Sequence, residues 1–591
     1  MAKILTNKDW SLIKRFGRYF VPHKKWLIVS LSSIPVTTTA SILFLWLVER
    51  IIDDYIVPGD VTGLKTYALF LAGVLLLNLL FDGVYSYTFS KAGGLAIVDM
   101  RRELFGKAIR FPMRYYDKHP IGVTLSRLTS DMESISESFA AGILGLLSES
   151  IKTTALVGYL FYLNWRLTLV LLIVVPLIVL VMRYLRRKIR AAYDESRTSL
   201  AKSAAYLQES LNGMKTIQLY NAEDEAWNKY NNLNQTYCNA QNRSNVYDSA
   251  LYSIVEGITS VATALVLFYG AIQVWDYGYT MGVLVVFITT LGRLFIPVRQ
   301  FAQQISTIQR ALSALDHISH LFEQETEEVE NETKKEGSSE LREIRFENVS
   351  FRYSEDAPDV LKNISFTLRK GDRIALVGTT GSGKSTIIRL LTKTYTGYRG
   401  SIQINGRELR DIPLAEIRNM MALMQQDIFM FNDSIRFNIA LGREYLTEED
   451  IQKAASFVYA DHFINQLPGK MEYVIQDNGD NLSKGQGQLI SFARAISGNN
   501  ELIILDEATS AVDSLTENYI QKAIENIFSS RTVIAVAHRL STIKHSDQIL
   551  VLEQGRIIER GNHDELVSQG GKYAGLVKTW EEKNTDSSLS E

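Results

Sequence analysis

Across 591 residues the chain has one cysteine, Cys238, ten prolines and eight histidines. A lone cysteine closes no internal disulfide and builds no cysteine-based metal cluster. So few prolines, beside 46% hydrophobic and 22% charged residues, exclude a disordered, collagenous or mucin-like chain. An excess of one charge is also missing. Lys and Arg number 63 against 65 Asp and Glu, a net −2, which is not the basic balance of a dominant nucleic-acid binder. No cleavable leader is expected, because the first long apolar run starts too late and lacks a small-residue cleavage site. The length exceeds what one hydrophobic core serves, so at least two domains are expected.

Apolar residues are plentiful and unevenly spread. Six long apolar stretches fall at about 27–48, 66–90, 139–163, 166–185, 249–275 and 281–304. Each approaches or exceeds the ~20 residues with which a helix crosses a bilayer. A buried soluble helix would explain any one of them; six in one half predict a membrane domain. Pro35, Pro176 and Pro297 lie inside spans, where neighbouring helices re-satisfy the freed backbone groups.

Basic residues set the orientation. Lys14, Arg15, Arg18, Lys24 and Lys25 precede span 1, and Arg183, Arg186, Arg187, Lys188 and Arg190 end or follow span 4. The loop from Glu49 to Lys65 instead carries Asp53, Asp54 and Asp60. The positive-inside rule puts both termini in the cytoplasm. The internal connections after spans 2 and 4 keep a helical pattern and are predicted to project roughly 20–40 Å beyond the membrane.

Residues 1–25 set Trp10, Ile13, Phe16 and Phe20 among basic side chains, the pattern of an amphipathic helix on the inner membrane face. The transmembrane domain is then 26–320, and the acidic, Gly-Ser-containing stretch 321–341 is a linker. Over 342–580 short β-rich runs alternate with helical patterns, predicting an α/β domain with parallel strands. Residues 581–591 form a polar C-terminal tail.

The chemistry starts at the strand Arg373–Val377. It runs into Gly378-Thr379-Thr380-Gly381-Ser382-Gly383-Lys384-Ser385 and then a helix opening with Thr386, a P-loop in its strand–loop–helix context. Glycines let backbone N–H groups close around phosphates, and the helix N-terminus adds a positive dipole. Lys384 would reach the β- and γ-phosphates and Ser385 would bind Mg²⁺. The apolar run Leu502–Leu505 then delivers Asp506 and Glu507 to the phosphate crevice. Asp506 is placed to orient Mg²⁺, and Glu507 to accept a proton from the attacking water.

With these motifs the chain resembles a half-transporter of the ATP-binding cassette (ABC) exporters, of the multidrug-resistance-like type, over nearly its whole length. The diagnostic run is Leu482-Ser483-Lys484-Gly485-Gln486, similar to the family's LSGGQ signature. The resemblance implies a multidomain membrane protein: a six-span all-α transmembrane domain with long cytoplasmic helical extensions, followed by an α/β P-loop nucleotide-binding domain. It implies that Tyr353 stacks on adenine and that Gln426 links Mg²⁺ and the attacking water to the membrane domain. By the same resemblance Asp513 belongs to the loop crossing a dimer interface, and His538 contacts the γ-phosphate. Two domains would meet head to tail, each ATP lying between one P-loop and the other signature, with coupling helices expected around Tyr116–Arg127 and Leu211–Glu225.

One residue departs from the pattern. Lys484 stands where the family has glycine, while Lys384, Asp506, Glu507 and His538 are all present. That combination resembles the catalytic-glutamate-bearing subunit of heterodimeric bacterial multidrug exporters, with one competent and one degenerate ATP site. Asp477-Asn478-Gly479 also replaces the usual Glu-Arg-Gly. The expected function is ATP-driven export, or leaflet translocation, of amphipathic compounds such as drugs across a bacterial plasma or inner membrane. The implied ligands are ATP and Mg²⁺; the implied partners are a second half-transporter, the bilayer and a hydrophobic substrate, with no nucleic acid. Two alternatives stand beside it: a homodimeric lipid or peptide exporter or flippase, and an ATP-gated channel or sensor on the same fold. The substrate-facing residues are the least legible. Asp82, Glu149, Lys152, Glu256 and Arg293 lie in or near spans, and Phe44, Trp46, Tyr85, Phe89, Tyr252 and Phe287 could line a pocket or merely pack.

Overall fold

The computed structural model describes residues 7–138, 144–327, 340–425, 428–498, 500–506, 514–536 and 540–588. The chain divides into two compact units, Met1–Arg110 with His119–Gln324, and Phe111–Lys118 with Glu325–Glu591.

The first unit is helical: α1 (Asn7–Gly17), α2 (Lys24–Arg50), α3 (Val61–Ala108), then, after α4 (Met113–Lys118) of the second unit, α5 (Ile121–Ser126), α6 (Met132–Glu137), α7 (Leu144–Leu163), α8 (Trp165–Asn212), α9 (Met214–Leu219), α10 (Glu223–Tyr277) and α11 (Met281–Phe322). The six expected spans fall on α2, α3, α7, α8, α10 and α11; residues 139–143, at the start of the third, lie outside the described residues. Among the described residues Lys24–Ile56, Val61–Ala108 and Glu223–Trp275 are long and apolar enough to cross a membrane on their own.

The sequence fixes the sharp turns between these helices by capping. Asp60 accepts hydrogen bonds from the N–H groups of Thr62 and Gly63 at the start of α3. Asn164 does the same for α8, and Thr280 for α11. Between turns the helices are long. The 48 residues of α3 span ~72 Å, far beyond a ~30 Å hydrocarbon core, so the expected extensions are real. The short α4 with α5, and α9, occupy the expected coupling-helix positions, α4 beginning three residues before Tyr116.

The N-terminal helix departs from a purely membrane-facing one. Leu12, Phe16 and Tyr19 are buried, while Trp10 stays exposed. Arg15 pairs with Glu323 at 2.7 Å, Tyr19 donates to Glu103 at 2.7 Å, and Phe16 packs on Phe322. Its apolar stripe is therefore largely spent on α3 and α11. Within the spans, Lys152 forms ion pairs with Asp82 at 3.1 Å and Glu149 at 3.7 Å. Phe89 and Phe287 are buried, which removes them from a candidate pocket lining and makes them packing residues.

The second unit holds β1 (Glu343–Phe351), β2 (Leu361–Arg369), β3 (Arg373–Gly378), β4 (Arg399–Ile404), β5 (Arg407–Glu408), β6 (Met421–Met424), β7 (Leu502–Asp506), β8 (Thr532–Val536), β9 (Gln548–Glu553) and β10 (Arg556–Gly561). Its helices are α12 (Lys384–Leu391), α13 (Leu414–Met420), α14 (Ile435–Ala440), α15 (Glu448–Phe457), α16 (Asp461–Ile464), α17 (Lys484–Ile496), α18 (Ser514–Ser530), α19 (Leu540–Lys544), α20 (His563–Ser568) and α21 (Lys572–Ser588). The main sheet runs β10-β9-β3-β8-β7-β6, parallel except at its β10 edge. Its central strands are buried runs such as Ile374–Val377 and Leu502–Leu505, as strands covered on both faces must be.

The expected parallel strands make up the main sheet, but β1 does not join them. β1 pairs antiparallel with both β2 and β4, in a second sheet of order β2-β1-β4-β5. Its first residues alternate between buried and exposed, the mark of a half-solvated antiparallel strand. At the other end α21 continues to Ser588, so the expected tail begins as helix.

Candidate nucleotide-binding site

β3 lies between β9 and β8, and β8 separates it from β7. Register places Gly378, Val536 and Asp506 at one edge of this sheet, the carboxyl edge where ligand crevices of α/β folds open. The loop from β3 to α12 is locked by glycines. Gly378 has φ +155° and Gly383 φ +108°. A Cβ on Gly378 would stand 2.3 Å from the Leu552 carbonyl oxygen, and one on Gly383 2.6 Å from Leu361 Cδ2. Neither position admits a side chain without displacing its neighbours.

Inside the loop Lys384 is buried, its ammonium donating to the carbonyls of Gly378 at 2.7 Å and Thr379 at 3.1 Å. Burial pushes its pKa down, and the nearby Asp506 opposes that shift. Ser382 Oγ is buried without a hydrogen-bond partner among the described residues. A buried hydroxyl left unpaired in a glycine-locked loop is suited to a phosphate oxygen. Thr379, Thr380, Gly381 and Ser385 are exposed around it, so the loop's outer rim is open.

Tyr353, just past β1, hydrogen-bonds through its hydroxyl to Thr386 Oγ1 at 2.9 Å. The expected base platform is thereby tied to the helix that follows the P-loop. That bond joins residues 33 apart in sequence and no local pattern announces it. Gln426, Glu507, Asp513 and His538 lie outside the described residues.

The signature forms the start of α17. Ser483 is its N-cap and builds a capping box: its Oγ accepts from the Gln486 N–H at 3.2 Å, and Gln486 Oε1 accepts from the Ser483 N–H at 3.0 Å. Gly485 is buried beneath, whereas Lys484 is exposed at the first helical position. Further along α17 the half-buried Arg494 donates to the carbonyls of Asn438 at 2.7 Å and Phe429 at 3.0 Å, tying the signature helix to the segment after β6. The Asp477-Asn478-Gly479 run has three successive positive φ values, +47°, +60° and +109°. Asn and Asp tolerate that region better than other side-chain-bearing residues, which accounts for their presence there.

The P-loop edge and the signature helix thus sit in one domain whose chain also carries the membrane helices. Residues 27–298 match the family model for the ABC transporter transmembrane region, and residues 361–510 the family model described as ABC transporter. The ABC transporter ATP-binding protein YknV of Bacillus subtilis is 32% identical, over 96% of this chain and 94% of that protein. The ATP-dependent lipid A-core flippase of Chromohalobacter salexigens is 34% identical, over 96% of this chain and 98% of the relative. The chain belongs to the ABC exporters. A solved bacterial Atm1-family ABC exporter with ATP bound shares its fold with a TM-score of 0.75 and 26% identity, covering 94% of this chain and 98% of that one. The exporter is accordingly a multi-pass membrane ATPase that couples nucleotide hydrolysis to transport.

Proposed function

We propose that the exporter uses ATP to move an amphipathic lipid between the leaflets of a bacterial inner or plasma membrane, working as a pair of half-transporters. The observation that carries this reading is near full-length similarity to proteins named ATP-dependent lipid A-core flippase, from organisms including Chromohalobacter salexigens and Salmonella typhimurium. It takes precedence over drug export, the reading drawn from the resemblance of the altered signature to heterodimeric multidrug exporters.

In this reading Lys384, Ser382 and the N–H groups of 378–386 hold the phosphates, and Tyr353 stacks on adenine. Ser385, Asp506 and Gln426 are the residues that would hold Mg²⁺. Among the described residues no three His, Cys, Asp or Glu side chains form a metal cage, which fits an ion held mainly by phosphate oxygens, water and one or two protein groups. When bound, Mg²⁺ supplies charge neutralisation between the β- and γ-phosphates. Glu507 accepts the proton of the attacking water, His538 contacts the γ-phosphate, and Ser483, Lys484, Gly485 and Gln486, with Asp513, serve the nucleotide across the shared boundary.

The test is reconstitution in liposomes containing a lipid whose headgroup dye is quenched by external dithionite. ATP should change the protected fraction, and E507Q should abolish that change while lowering steady hydrolysis by roughly 100-fold or more and retaining ATP binding. Hydrolysis at wild-type rate in E507Q would remove Glu507 as the base. A static lipid distribution with ATP-dependent movement of an amphipathic drug would restore the drug-export reading.

A second reading concerns stoichiometry and rests on Lys484. A side chain at the signature position expected to be glycine fits a heterodimer with unequal ATP sites, in which the partner's intact signature completes the site of Lys384 and Glu507. Native mass spectrometry of the tagged exporter from its own membrane separates a one-to-one complex with another half-transporter from a homodimer.

A further inference from the structure

α4 lies between membrane helices in sequence but clusters in space with the ATPase unit. Its Asp117 carboxylate receives a hydrogen bond from the Tyr395 hydroxyl at 2.8 Å and lies 3.8 Å from the Arg389 guanidinium. Both partners return to Tyr353. The Tyr395 ring meets the Tyr353 ring edge to face at 5.1 Å, and Phe351 closes a triangle of rings at 5.0 Å from Tyr353 and 5.7 Å from Tyr395. Arg389 stands over the Tyr353 ring at 5.9 Å. It rises from α12 one turn beyond Thr386, which binds the Tyr353 hydroxyl. The contacts form a closed circuit: Tyr353, Thr386, Arg389, Asp117, Tyr395 and back to Tyr353. Burial, and then Asp117, push the Tyr395 hydroxyl up to about 12, so it remains a proton donor to Asp117 at physiological pH.

We propose that Tyr395 and Arg389 are positioning residues that couple the base platform at Tyr353 to α4 through Asp117. Through this circuit α4 senses the base of the nucleotide as well as its phosphates. The ring faces and edges of Tyr353 are shared between the base and its protein neighbours, so a base that shifts Tyr353 also shifts Tyr395 and Arg389, both of which end on one carboxylate. Linkage makes the coupling reciprocal: loosening α4 must alter the affinity for the base. The inference rests on the assignment of Tyr353 to adenine.

The experiment measures equilibrium binding of ATP and CTP to the full-length exporter in nanodiscs. The two share ribose and triphosphate, but the single ring of cytosine offers less surface for stacking. Y395F and D117N should each reduce the preference for ATP over CTP by roughly threefold to tenfold, the weight of one hydrogen bond. Combining either with Y353A should cost no more preference than Y353A alone, and D117E, which keeps the carboxylate, should recover most of it. Equal weakening of ATP and CTP would reduce the cluster to scaffold and overturn the proposal. If Y353A loses the preference while Y395F and D117N keep it, the relay fails alone. If Y353A keeps the preference, the base assignment fails and the relay with it.

Discussion

The P-loop carries its lysine inside the domain, bonded to the carbonyls of Gly378 and Thr379, whereas the signature helix carries Lys484 on its outside. The first surface is built within one chain. Its glycines are fixed by backbone geometry and its charged group by burial, so each residue has a folding role as well as a ligand role. The second is half of a site. Its helix is capped and its glycine floor packed, yet the residue that departs from the family pattern meets no steric conflict in its own chain. Fold integrity is thus a sensitive guide to the P-loop and a poor guide to the signature.

The largest effect should come from breaking the buried side of this contrast. K384A removes a charge-assisted donor to phosphate, which lowers ATP affinity by roughly 10–100-fold and takes hydrolysis down with it. Binding of labelled ATP to the purified exporter checks this. The buried ammonium also has a lowered pKa, so the fraction of charged Lys384 in the free exporter declines at a lower pH than for an ordinary lysine. ATP affinity should therefore decline on the alkaline side, and K384A should flatten that decline. An alkaline slope unchanged in K384A would assign it to another group.

The same contrast separates what is legible in the sequence from what is not. Strand, glycine loop and helix are adjacent in the chain, so Gly378 to Thr386 were legible as a unit. Long apolar runs announced the membrane helices for the same local reason, whereas the caps Asp60, Asn164 and Thr280 emerge only in the structure. Pairing is different. β1 shows a strand pattern, but membership of the antiparallel sheet depends on β2 and β4. Phe89 and Phe287 have the composition of a pocket lining, and only packing turns them inward. Tyr395 and Asp117 are 278 residues apart, and nothing in either local sequence announces the other.

A smaller effect sharpens the exposed side. Lys484 sits in ordinary helical backbone at the first turn of α17, so K484G relieves no strain within the chain. If the exporter works with unequal ATP sites, K484G alters the site that does not drive the cycle and should change turnover by about twofold or less. In a homodimer both sites carry the lysine, and restoring glycine should raise turnover well beyond that. Steady ATPase rates of wild type and K484G, compared at equal subunit stoichiometry, decide between the two arrangements.

The smallest effect separates structure from ligand contact within the signature itself. Ser483 caps α17 whatever lies opposite it, and S483A removes one of the two reciprocal bonds of the capping box. The cost should be about 1 kcal/mol, typical of an N-cap. For a domain of this size that corresponds to a Tm lower by about 2–4 °C. S483T keeps a hydroxyl at the cap and should recover most of the loss. If Ser483 also meets nucleotide from the opposite subunit, S483A must lower hydrolysis at temperatures far below its Tm, where the lost cap has no consequence for the folded fraction. A Tm shift without that activity loss would leave Ser483 as a cap and nothing more, and would move the ligand role of the signature onto Gly485, Gln486 and the neighbouring backbone.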